Sequence, residues 1–167
     1  MIIVTGASRG LGRAVAERLI SLGREVLSLS RTSEGAPGDS VTCDVSDYEA
    51  VKAVAQSLRK EKREIEGLVN AAGIASMNLA VTTPPSMTQK LIQTNLAGTI
   101  HCCQLFAPLM IRKKAGSIIN FSTIAVTLGL KGGSIYAASK AGVEGFSRAF
   151  AREMADFDIR VNCVAPG

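Results

Sequence analysis

A short apolar run followed by a glycine-rich turn begins this chain. Residues 1–5 are predicted to form a strand, the turn Gly6-x-x-x-Gly10-x-Gly12 follows, and apolar residues at helical spacing continue to Gly23. Further short apolar segments then alternate with helical stretches of ten or more residues. Strands that alternate with such helices form βαβ units, so the pattern predicts a parallel sheet with helices on both faces.

The predicted elements divide the whole chain without an obvious linker. Strands are predicted at residues 1–5, 25–30, 41–43, 67–70, 116–121 and 160–164. After the first helix, further helices are predicted at about residues 48–62, with Ser46 as N-cap, at 87–113, and at 136–156. Pro108 is expected to bend or break the helix at 87–113. With no repeat or low-complexity tract, residues 1–167 are predicted to form a single domain.

Composition excludes several classes of partner. The formal net charge is +5, but the basic residues are dispersed and aromatic residues make up only 4% of the chain, so nucleic acid is not an expected partner. No apolar run approaches the ~20 residues of a membrane span, and no secretory signal precedes the first strand. A cytoplasmic location is therefore expected.

Cysteine and histidine usage gives no sign of a metal site. The four cysteines lack C-x-x-C spacing, and His101 is the only histidine. We expect no bound metal and interpret the cysteines as small buried hydrophobic residues in a reducing compartment. They are Cys43, Cys102, Cys103 and Cys163.

The glycine turn suits a phosphate-bearing ligand. Glycines let backbone amides approach a pyrophosphate at a helix N-terminus, although the same turn could be merely a tight strand-to-helix connection. The candidate ligand-binding residues of this turn are Gly6, Ser8, Arg9, Gly10, Leu11 and Gly12.

The end of the second strand indicates which dinucleotide is preferred. NAD sites place an acidic residue there for the ribose 2′-hydroxyl, whereas NADP sites use basic residues. This chain has Ser30 and Arg31, with no acidic residue before Glu34, and Arg9 could approach the same phosphate. NADP(H) is therefore the predicted cofactor, with NAD(H) as the alternative. Otherwise both arginines are simply exposed to solvent.

Tyr136 and Lys140 carry the most specific chemistry. They are four residues apart, so on a helix they lie on one face, where an ammonium lowers the pKa of a nearby phenol. Moving the pKa of a phenol from ~10 to ~7 needs ~4 kcal/mol, which one surface ammonium would not supply but a partly desolvated ammonium beside a cationic nicotinamide could. The alternative is an ordinary amphipathic helix that happens to carry both residues.

Taken together, these motifs resemble one protein family. The segments Thr5-Gly6-x-x-x-Gly10-x-Gly12, Asn70-Ala71-Ala72-Gly73, Asn95 and Tyr136-x-x-x-Lys140 occur in that order. Over residues 1–167 the chain is similar to the short-chain dehydrogenase/reductases, and most similar to their 3-oxoacyl-[acyl-carrier-protein] reductase-like branch. The resemblance implies a Rossmann-type, doubly wound α/β fold in three layers.

The resemblance also implies an activity. It implies an NADP(H)-dependent oxidoreductase that transfers a hydride between nicotinamide and a carbonyl or alcohol substrate. An acyl-carrier-bound 3-oxoacyl thioester, as in fatty acid biosynthesis, is the leading candidate. The alternative is a non-catalytic nucleotide-binding or scaffolding fragment of such an enzyme. An epimerase or dehydratase of the related extended branch is a third hypothesis, which the glycine spacing disfavours.

Individual site residues follow from the same resemblance. Tyr136 would be the general acid or base, Lys140 would bind the nicotinamide ribose, and Asn95 would hold a water in a proton relay. The alternative for Asn95 is a buried helical residue satisfied by backbone. Further cofactor contacts would come from Asp44 and Val45 at the adenine, from Asn70, Ala71, Ala72 and Gly73 after the fourth strand, and from Pro166 and Gly167 against the nicotinamide.

One departure from the family pattern leaves the substrate hydroxyl open. The family serine lies thirteen residues before the tyrosine, where this chain has Thr123, and Ser122 precedes it. Spacing favours Thr123, whereas residue type favours Ser122. Because adjacent strand residues point to opposite faces, only one of the pair should face the substrate.

A second departure concerns the C-terminal part. Family members usually continue well beyond the position of Gly167, so the C-terminal part of the family fold is expected to be missing and the substrate pocket incomplete. Residues 160–164 would then form an unprotected sheet edge. The resemblance further implies a homodimer or homotetramer through the helices at 87–113 and 136–156.

Overall fold

Six parallel strands form the centre of the computed structural model, which describes residues 1–167. The strands are β1 Ile2–Thr5, β2 Val26–Ser30, β3 Asp39–Thr42, β4 Gly67–Asn70, β5 Gly116–Phe121 and β6 Ile159–Val164. Their order across the sheet is β3-β2-β1-β4-β5-β6. All five pairings are parallel. The predicted doubly wound parallel sheet is confirmed.

The helices connect these strands. They are α1 Gly10–Ser21, α2 Tyr48–Lys60, α3 Pro85–Leu91, α4 Gly98–Ile111, α5 Ala125–Leu128 and α6 Ser134–Ala155. A 3₁₀ turn at Ala80–Thr82 and the short helix α5 were not predicted.

The predicted helix at 87–113 has its irregularity in a different place. A π-helical segment, Ile92–Ala97, joins α3 to α4, while α4 continues through Pro108 to Ile111. The prediction of a break at Pro108 was therefore wrong. A π segment is defined by i→i+5 hydrogen bonds and is frequent at functional sites, and this one contains Asn95, a predicted site residue.

Alternating strand residues build a core on each side of the sheet. Ile3 and Leu68 belong to the larger apolar cluster, which includes Phe106 of α4 and Phe150 of α6. Val4 and Val69, one residue further along the same strands, belong to a smaller cluster with Ala16 of α1. Because successive side chains point to opposite faces, this is the three-layer arrangement expected for a parallel sheet.

The start of α2 differs from the prediction in its N-cap. The Asp47 side chain, not that of Ser46, accepts hydrogen bonds from the amides of Glu49 at 3.0 Å and Ala50 at 3.2 Å. Ser46 instead donates its hydroxyl to Oδ1 of Asp44 at 2.7 Å. Such a cap stabilises a helix by ~1 kcal/mol, and both residue types provide it, so the sequence alone did not decide between them.

Three of the four cysteines are buried as predicted, but Cys163 in β6 is exposed. Burial raises the pKa of Cys43 to about 11 and that of Cys103 to about 12. These two thiols therefore stay protonated at neutral pH.

None of the helices is long and apolar enough to cross a bilayer.

The strand order determines where a ligand can bind. The chain leaves β1 toward β2 and leaves β4 toward β5, which lie on opposite sides of the β1–β4 pair. The crevice outside the carboxyl ends of these two strands is the usual ligand site of such a sheet. The glycine turn follows β1, and the segment from Ala71 to Gly73 follows β4.

Candidate functional site

The glycine turn packs tightly against the segment after β4. A Cβ on Gly12 would lie 2.4 Å from the carbonyl oxygen of Gly6, and a Cβ on Gly6 would lie 2.7 Å from Cα of Ala72. Gly6 also has a φ of 68°, which side chains disfavour. Oγ1 of Thr5 joins the two segments by accepting a hydrogen bond from the Ala72 amide at 3.1 Å. Glycine is therefore required at both positions by close approach.

A cleft of about 350 Å³ lies at this junction. Most of the predicted cofactor residues line it: Gly6, Ser8, Arg9, Gly10, Leu11, Gly12, Ser30, Arg31, Asp44, Val45, Ala71, Ala72 and Gly73. Residues that the sequence did not single out also line it, namely Leu29, Thr32, Cys43, Ile74 and Thr94. Each of these five adjoins a predicted site residue in the chain, which is the signal that could have identified them.

The N-terminus of α1 is suited to an anion. It begins at Gly10 in the cleft, no side chain caps it, and its first turn carries no acidic residue. A Cβ on Gly10 would meet nothing within 4 Å, so the space in front of this end is open. Unpaired amides at a helix N-terminus attract phosphate groups. The residues present therefore fit the pyrophosphate of a dinucleotide.

The charged side chains of the cleft differ in whether other protein groups bind them. Arg9 and Arg31 are exposed, and neither has a carboxylate within 4.0 Å. Burial acts to raise the pKa of Asp44, but hydrogen bonds from Ser46 and the charges of Arg31 and Lys90 outweigh it and lower that pKa below its usual value. The cleft thus combines one fixed, ionised carboxylate with two free guanidinium groups.

Lys140 lies next to this cleft and is buried. Only 6% of its surface is exposed, and its Nζ donates a hydrogen bond to the Phe121 carbonyl at 2.7 Å. Burial lowers the pKa of Lys140 to about 8, with a smaller opposing effect from Cys163. Lys140 is therefore partly desolvated, as the prediction for the Tyr136–Lys140 pair supposes.

Asn95 and Lys140 both approach Gly73. A Cβ on Gly73 would lie 3.3 Å from Oδ1 of Asn95 and 3.5 Å from Nζ of Lys140. Asn95 is fully buried, accepts from the Ile74 amide at 2.8 Å and donates to the Ile74 carbonyl at 2.9 Å. These backbone partners agree with the alternative interpretation, in which Asn95 is a buried helical residue satisfied by backbone. A role for Asn95 in a water relay stays a prediction.

Ser139 was missed by the sequence reasoning, although it lies inside the Tyr136–Lys140 motif. It is fully buried, its Oγ donates to the Tyr136 carbonyl at 2.7 Å, and it accepts from Nδ2 of Asn95 at 3.0 Å. Ser139 therefore connects the π-helical segment to the turn of α6 that carries Tyr136, which is half-buried.

The hydroxyl groups of Ser122 and Thr123, the two candidates for orienting the substrate, differ in whether the protein provides an acceptor for their hydrogen. Ser122 is 3% exposed and donates its hydroxyl to Oε1 of Glu144 at 2.6 Å. Thr123 is half-buried, and its Oγ1 accepts from the Ala125 amide at 3.3 Å. A hydroxyl has one hydrogen to donate, so that of Ser122 is engaged within the protein, whereas that of Thr123 has no acceptor in the protein.

Some predicted residues lie outside the cleft. The Asn70 side chain is buried and donates to Oδ1 of Asn120 at 2.9 Å, while its own Oδ1 has no hydrogen-bond partner. Pro166 and Gly167 follow β6, where the Pro166 carbonyl accepts from the Ile124 amide at 3.1 Å. Tyr136 and Lys140 do not line the cleft either, and the buried Asn120 was not predicted at all.

The rest of the molecule offers a further groove and no metal-binding cluster. A larger groove of about 700 Å³ lies beside α1 and is lined by none of the predicted site residues. No group of three or more His, Cys, Asp or Glu side chains is placed to hold a metal ion. The chemistry therefore concentrates at the cleft and at the neighbouring end of α6.

The strand order, the glycine turn and the Tyr136–Lys140 pair define the class, a dinucleotide-binding α/β fold. A family model described as short chain dehydrogenase matches residues 1–167. The chain is 37% identical over 174 residues to the 3-oxoacyl-[acyl-carrier-protein] reductase FabG of Salmonella typhimurium, covering 99% of this chain and 71% of that protein. It is 40% identical over 173 residues to the human 3-oxoacyl-[acyl-carrier-protein] reductase, covering 98% and 73%. The chain belongs to the short-chain dehydrogenase/reductase family, a family of oxidoreductases.

Solved structures of short-chain dehydrogenases have the same fold as this chain. A short-chain dehydrogenase from Streptomyces avermitilis superposes with a TM-score of 0.94 at 30% identity, covering 99% of this chain and 65% of that one. A metagenomic short-chain oxidoreductase in complex with NADP gives 0.92 at 36% identity, covering 100% and 80%. The chain thus spans somewhat less than two thirds of the Streptomyces protein.

Proposed function

We propose that this protein is an NADP(H)-dependent oxidoreductase in which Tyr136 exchanges a proton with the oxygen of a carbonyl or alcohol substrate. One observation carries the proposal: a buried lysine, one turn after Tyr136, adjoins a glycine-lined cleft that fits a dinucleotide. When bound, the nicotinamide supplies or accepts the hydride. The protein is proposed to bind the cofactor, orient the substrate and exchange the proton.

Tyr136 is the proposed proton donor in carbonyl reduction and the base in the reverse direction. A general acid works best when its pKa lies near the working pH, and a cationic neighbour moves a phenol in that direction. Lys140 is the proposed cation, and its ammonium is also the group proposed to bind the ribose hydroxyls. Asn95 is proposed to support this pair through Ser139 and through its bonds to Ile74.

Thr123 is the proposed substrate-orienting hydroxyl. Its hydroxyl hydrogen is free to donate to a substrate carbonyl, whereas the hydroxyl of Ser122 is turned toward α6 and bound to Glu144. This assignment agrees with the spacing of thirteen residues before Tyr136.

The preference for NADP(H) is proposed from charge. Arg9 and Arg31 lie at the rim of the cleft with no carboxylate partner, and either could bind a 2′-phosphate. The metagenomic relative in complex with NADP supports this proposal. Another relative, a 4-hydroxyisoleucine dehydrogenase complexed with NADH, shows that the family fold also accommodates the other dinucleotide.

A 3-oxoacyl thioester is the leading candidate substrate. The relatives with 35–40% identity are named for reduction of this substrate on an acyl carrier protein. The segments that follow β4 and β5 add support, since residues 74–89 and 122–130 contain no charged side chain. They expose large apolar ones instead, namely Met77, Leu79, Val81, Ile124, Leu128 and Leu130.

The assembly proposed for the protein is a homodimer or homotetramer through the helical segments at 87–113 and 136–156. Light scattering after size-exclusion chromatography measures its mass directly. A monomer at micromolar concentration would contradict this part of the proposal.

The proposed function is tested by NADPH binding and consumption. Binding is followed by nicotinamide fluorescence, and turnover by loss of NADPH with a panel of carbonyl compounds that includes a 3-oxoacyl thioester. We expect tighter binding of NADPH than of NADH, and turnover that Tyr136→Phe abolishes without changing binding. NADPH binding without any turnover would favour a nucleotide-binding module, and no binding would contradict both functions.

A further inference from the structure

Two hydrogen bonds join the end of β5 to one side of α6. Nζ of Lys140 donates to the Phe121 carbonyl at 2.7 Å, and the Ser122 hydroxyl donates to Oε1 of Glu144 at 2.6 Å. Lys140 and Glu144 are four residues apart, so they lie one turn apart on the same face of α6. The chain is therefore held to α6 at two successive turns immediately before Thr123.

Ser122 has only one effective acceptor in this arrangement. The Lys140 carbonyl lies 3.5 Å from its Oγ, whereas the Glu144 carboxylate lies at 2.6 Å. A hydrogen bond to an ionised acceptor is shorter and stronger than one between neutral groups. The carboxylate therefore determines the direction of this hydroxyl.

Glu144 has no comparable second partner. Its other oxygen lies 3.9 Å from Nη1 of Arg148, whose side chain is 74% exposed, and such an exposed pair contributes little. The Glu144 side chain itself is 27% exposed. The contact with Ser122 is thus the one specific interaction that this carboxylate makes.

We propose that Glu144 is a positioning residue: by holding the Ser122 hydroxyl against α6, it directs Thr123 toward the substrate carbonyl beside Tyr136. The inference rests on the proposed function and assigns Glu144 no contact with substrate. The backbone of Ser122 is already fixed on the other side, since its amide donates to the Val164 carbonyl at 2.7 Å. Loss of the carboxylate should therefore leave β5 paired with β6 and free only the connection to Thr123.

The test compares four variants with the wild-type protein by steady-state kinetics: Glu144→Gln, Glu144→Leu, Ser122→Ala and the double variant S122A/E144L. Glutamine keeps an acceptor oxygen, so we expect its kcat to stay within about twofold of wild type. Glu144→Leu and Ser122→Ala should each lower kcat about tenfold, with KM for NADPH within about twofold. The double variant should lose no more than either single one, because both remove the same bond.

A matched control is available on the same helix. Glu153 is exposed and forms no ion pair, so Glu153→Leu should leave kcat unchanged. If Glu144→Leu does not fold, Ser122→Ala and Glu144→Gln still carry the comparison. Wild-type kcat in both Ser122→Ala and Glu144→Leu would overturn the proposal, and so would multiplicative losses or a loss confined to KM for NADPH.

Hydrogen exchange separates this proposal from the proposed function. We expect faster amide exchange in residues 122–128 of Ser122→Ala and Glu144→Leu, and wild-type exchange in Glu144→Gln. A wild-type protein that reduces no carbonyl contradicts the proposed function, while the exchange comparison still decides whether Glu144 positions this segment. Unchanged exchange in both variants overturns the positioning role.

Discussion

The cofactor cleft and the Tyr136–Lys140 end of α6 are built in opposite ways. In the cleft, glycine backbone and the open end of α1 form the surface, and the two arginines project without partners. Around Lys140, polar side chains are buried and hydrogen-bonded, as with Asn95, Ser139 and Ser122. The proposed dinucleotide would thus meet backbone shape and unpaired positive charge, whereas the proposed proton transfer would rely on side chains held by buried hydrogen bonds.

This difference teaches which changes each region should tolerate. In the cleft, added volume should do most harm, because the backbone segments are already in contact. At the end of α6, removal of a single hydrogen-bonding atom should do most harm, because a buried partner would lose its bond. Variants in the two regions should therefore differ in which property they lose.

The largest effect is expected at Thr123. Thr123→Ala removes the hydroxyl proposed to polarise the substrate carbonyl, and we expect kcat to fall ~10²–10³-fold, the range found for loss of one donor to a reacting oxygen. Thr123→Ser keeps the hydroxyl and should retain most of the activity. Equal losses in Thr123→Ala and Ser122→Ala would contradict the assignment.

Gly12→Ala should be the next most damaging change. Its Cβ would lie 2.4 Å from the Gly6 carbonyl oxygen, so the turn must shift, at a cost of ~3 kcal/mol in the free energy of unfolding and with weaker NADPH binding. Gly145→Ala is the matched control, since a Cβ there meets nothing within 4 Å, and it should be neutral or slightly stabilising. Urea unfolding and fluorescence titration measure both effects.

The lowered pKa of Lys140 predicts that this residue makes the free energy of unfolding depend on pH. Its pKa of about 8 in the folded protein lies below its ordinary value of 10.5, so between these values the unfolded chain binds more protons. Lys140 alone should therefore add up to ~3 kcal/mol to the free energy of unfolding as the pH goes from 8 to 10.5. The raised pKa values of Cys43 and Cys103 act in the opposite direction above about pH 9, so the effect of Lys140 is read as a difference between wild type and a variant that lacks the lysine. Below pH 8 the buried charge should reduce stability.

The control for this pH dependence is Lys140→Met. The variant removes the titrating group while filling similar volume, and the cysteines titrate equally in both proteins. When urea unfolding is repeated at each pH, the free energy of unfolding of wild type minus that of the variant should therefore rise by up to ~3 kcal/mol between pH 8 and 10.5. The same pH dependence in wild type and variant would contradict the prediction for Lys140.

The arginines should give the smallest effect. Arg9→Ala and Arg31→Ala should each raise the dissociation constant for NADPH about tenfold and leave that for NADH nearly unchanged, because each removes one charge-assisted contact to a phosphate. Arg152→Ala, an exposed residue in the last turn of α6, serves as control. An equal loss for both dinucleotides would argue against a 2′-phosphate site.

Much of the fold was predictable because its signals are local. Strand apolarity and helical spacing identified all six strands within about two residues and the parallel sheet that they form. The glycine turn and the four-residue separation of Tyr136 and Lys140 were equally visible. Such patterns are readable because each reflects the geometry of a single element.

Other features depended on partners distant in the chain. For Thr123 and Ser122, spacing and residue type favoured opposite choices, and the contact of Ser122 with Glu144, 22 residues away, distinguishes them in the structure. The buried bonds of Asn70 to Asn120 and of Asn95 to Ser139 likewise join segments that no local pattern relates.

The sequence by itself thus determined the sheet, the glycine turn and the residue types of the site. The tertiary structure alone decided which hydroxyl keeps a free hydrogen, why Lys140 has a lowered pKa, and where the helix at 87–113 changes its hydrogen bonding. The physical reason is that periodicity and propensity act within an element, whereas burial and hydrogen-bond partners exist only once elements from distant parts of the chain have packed together.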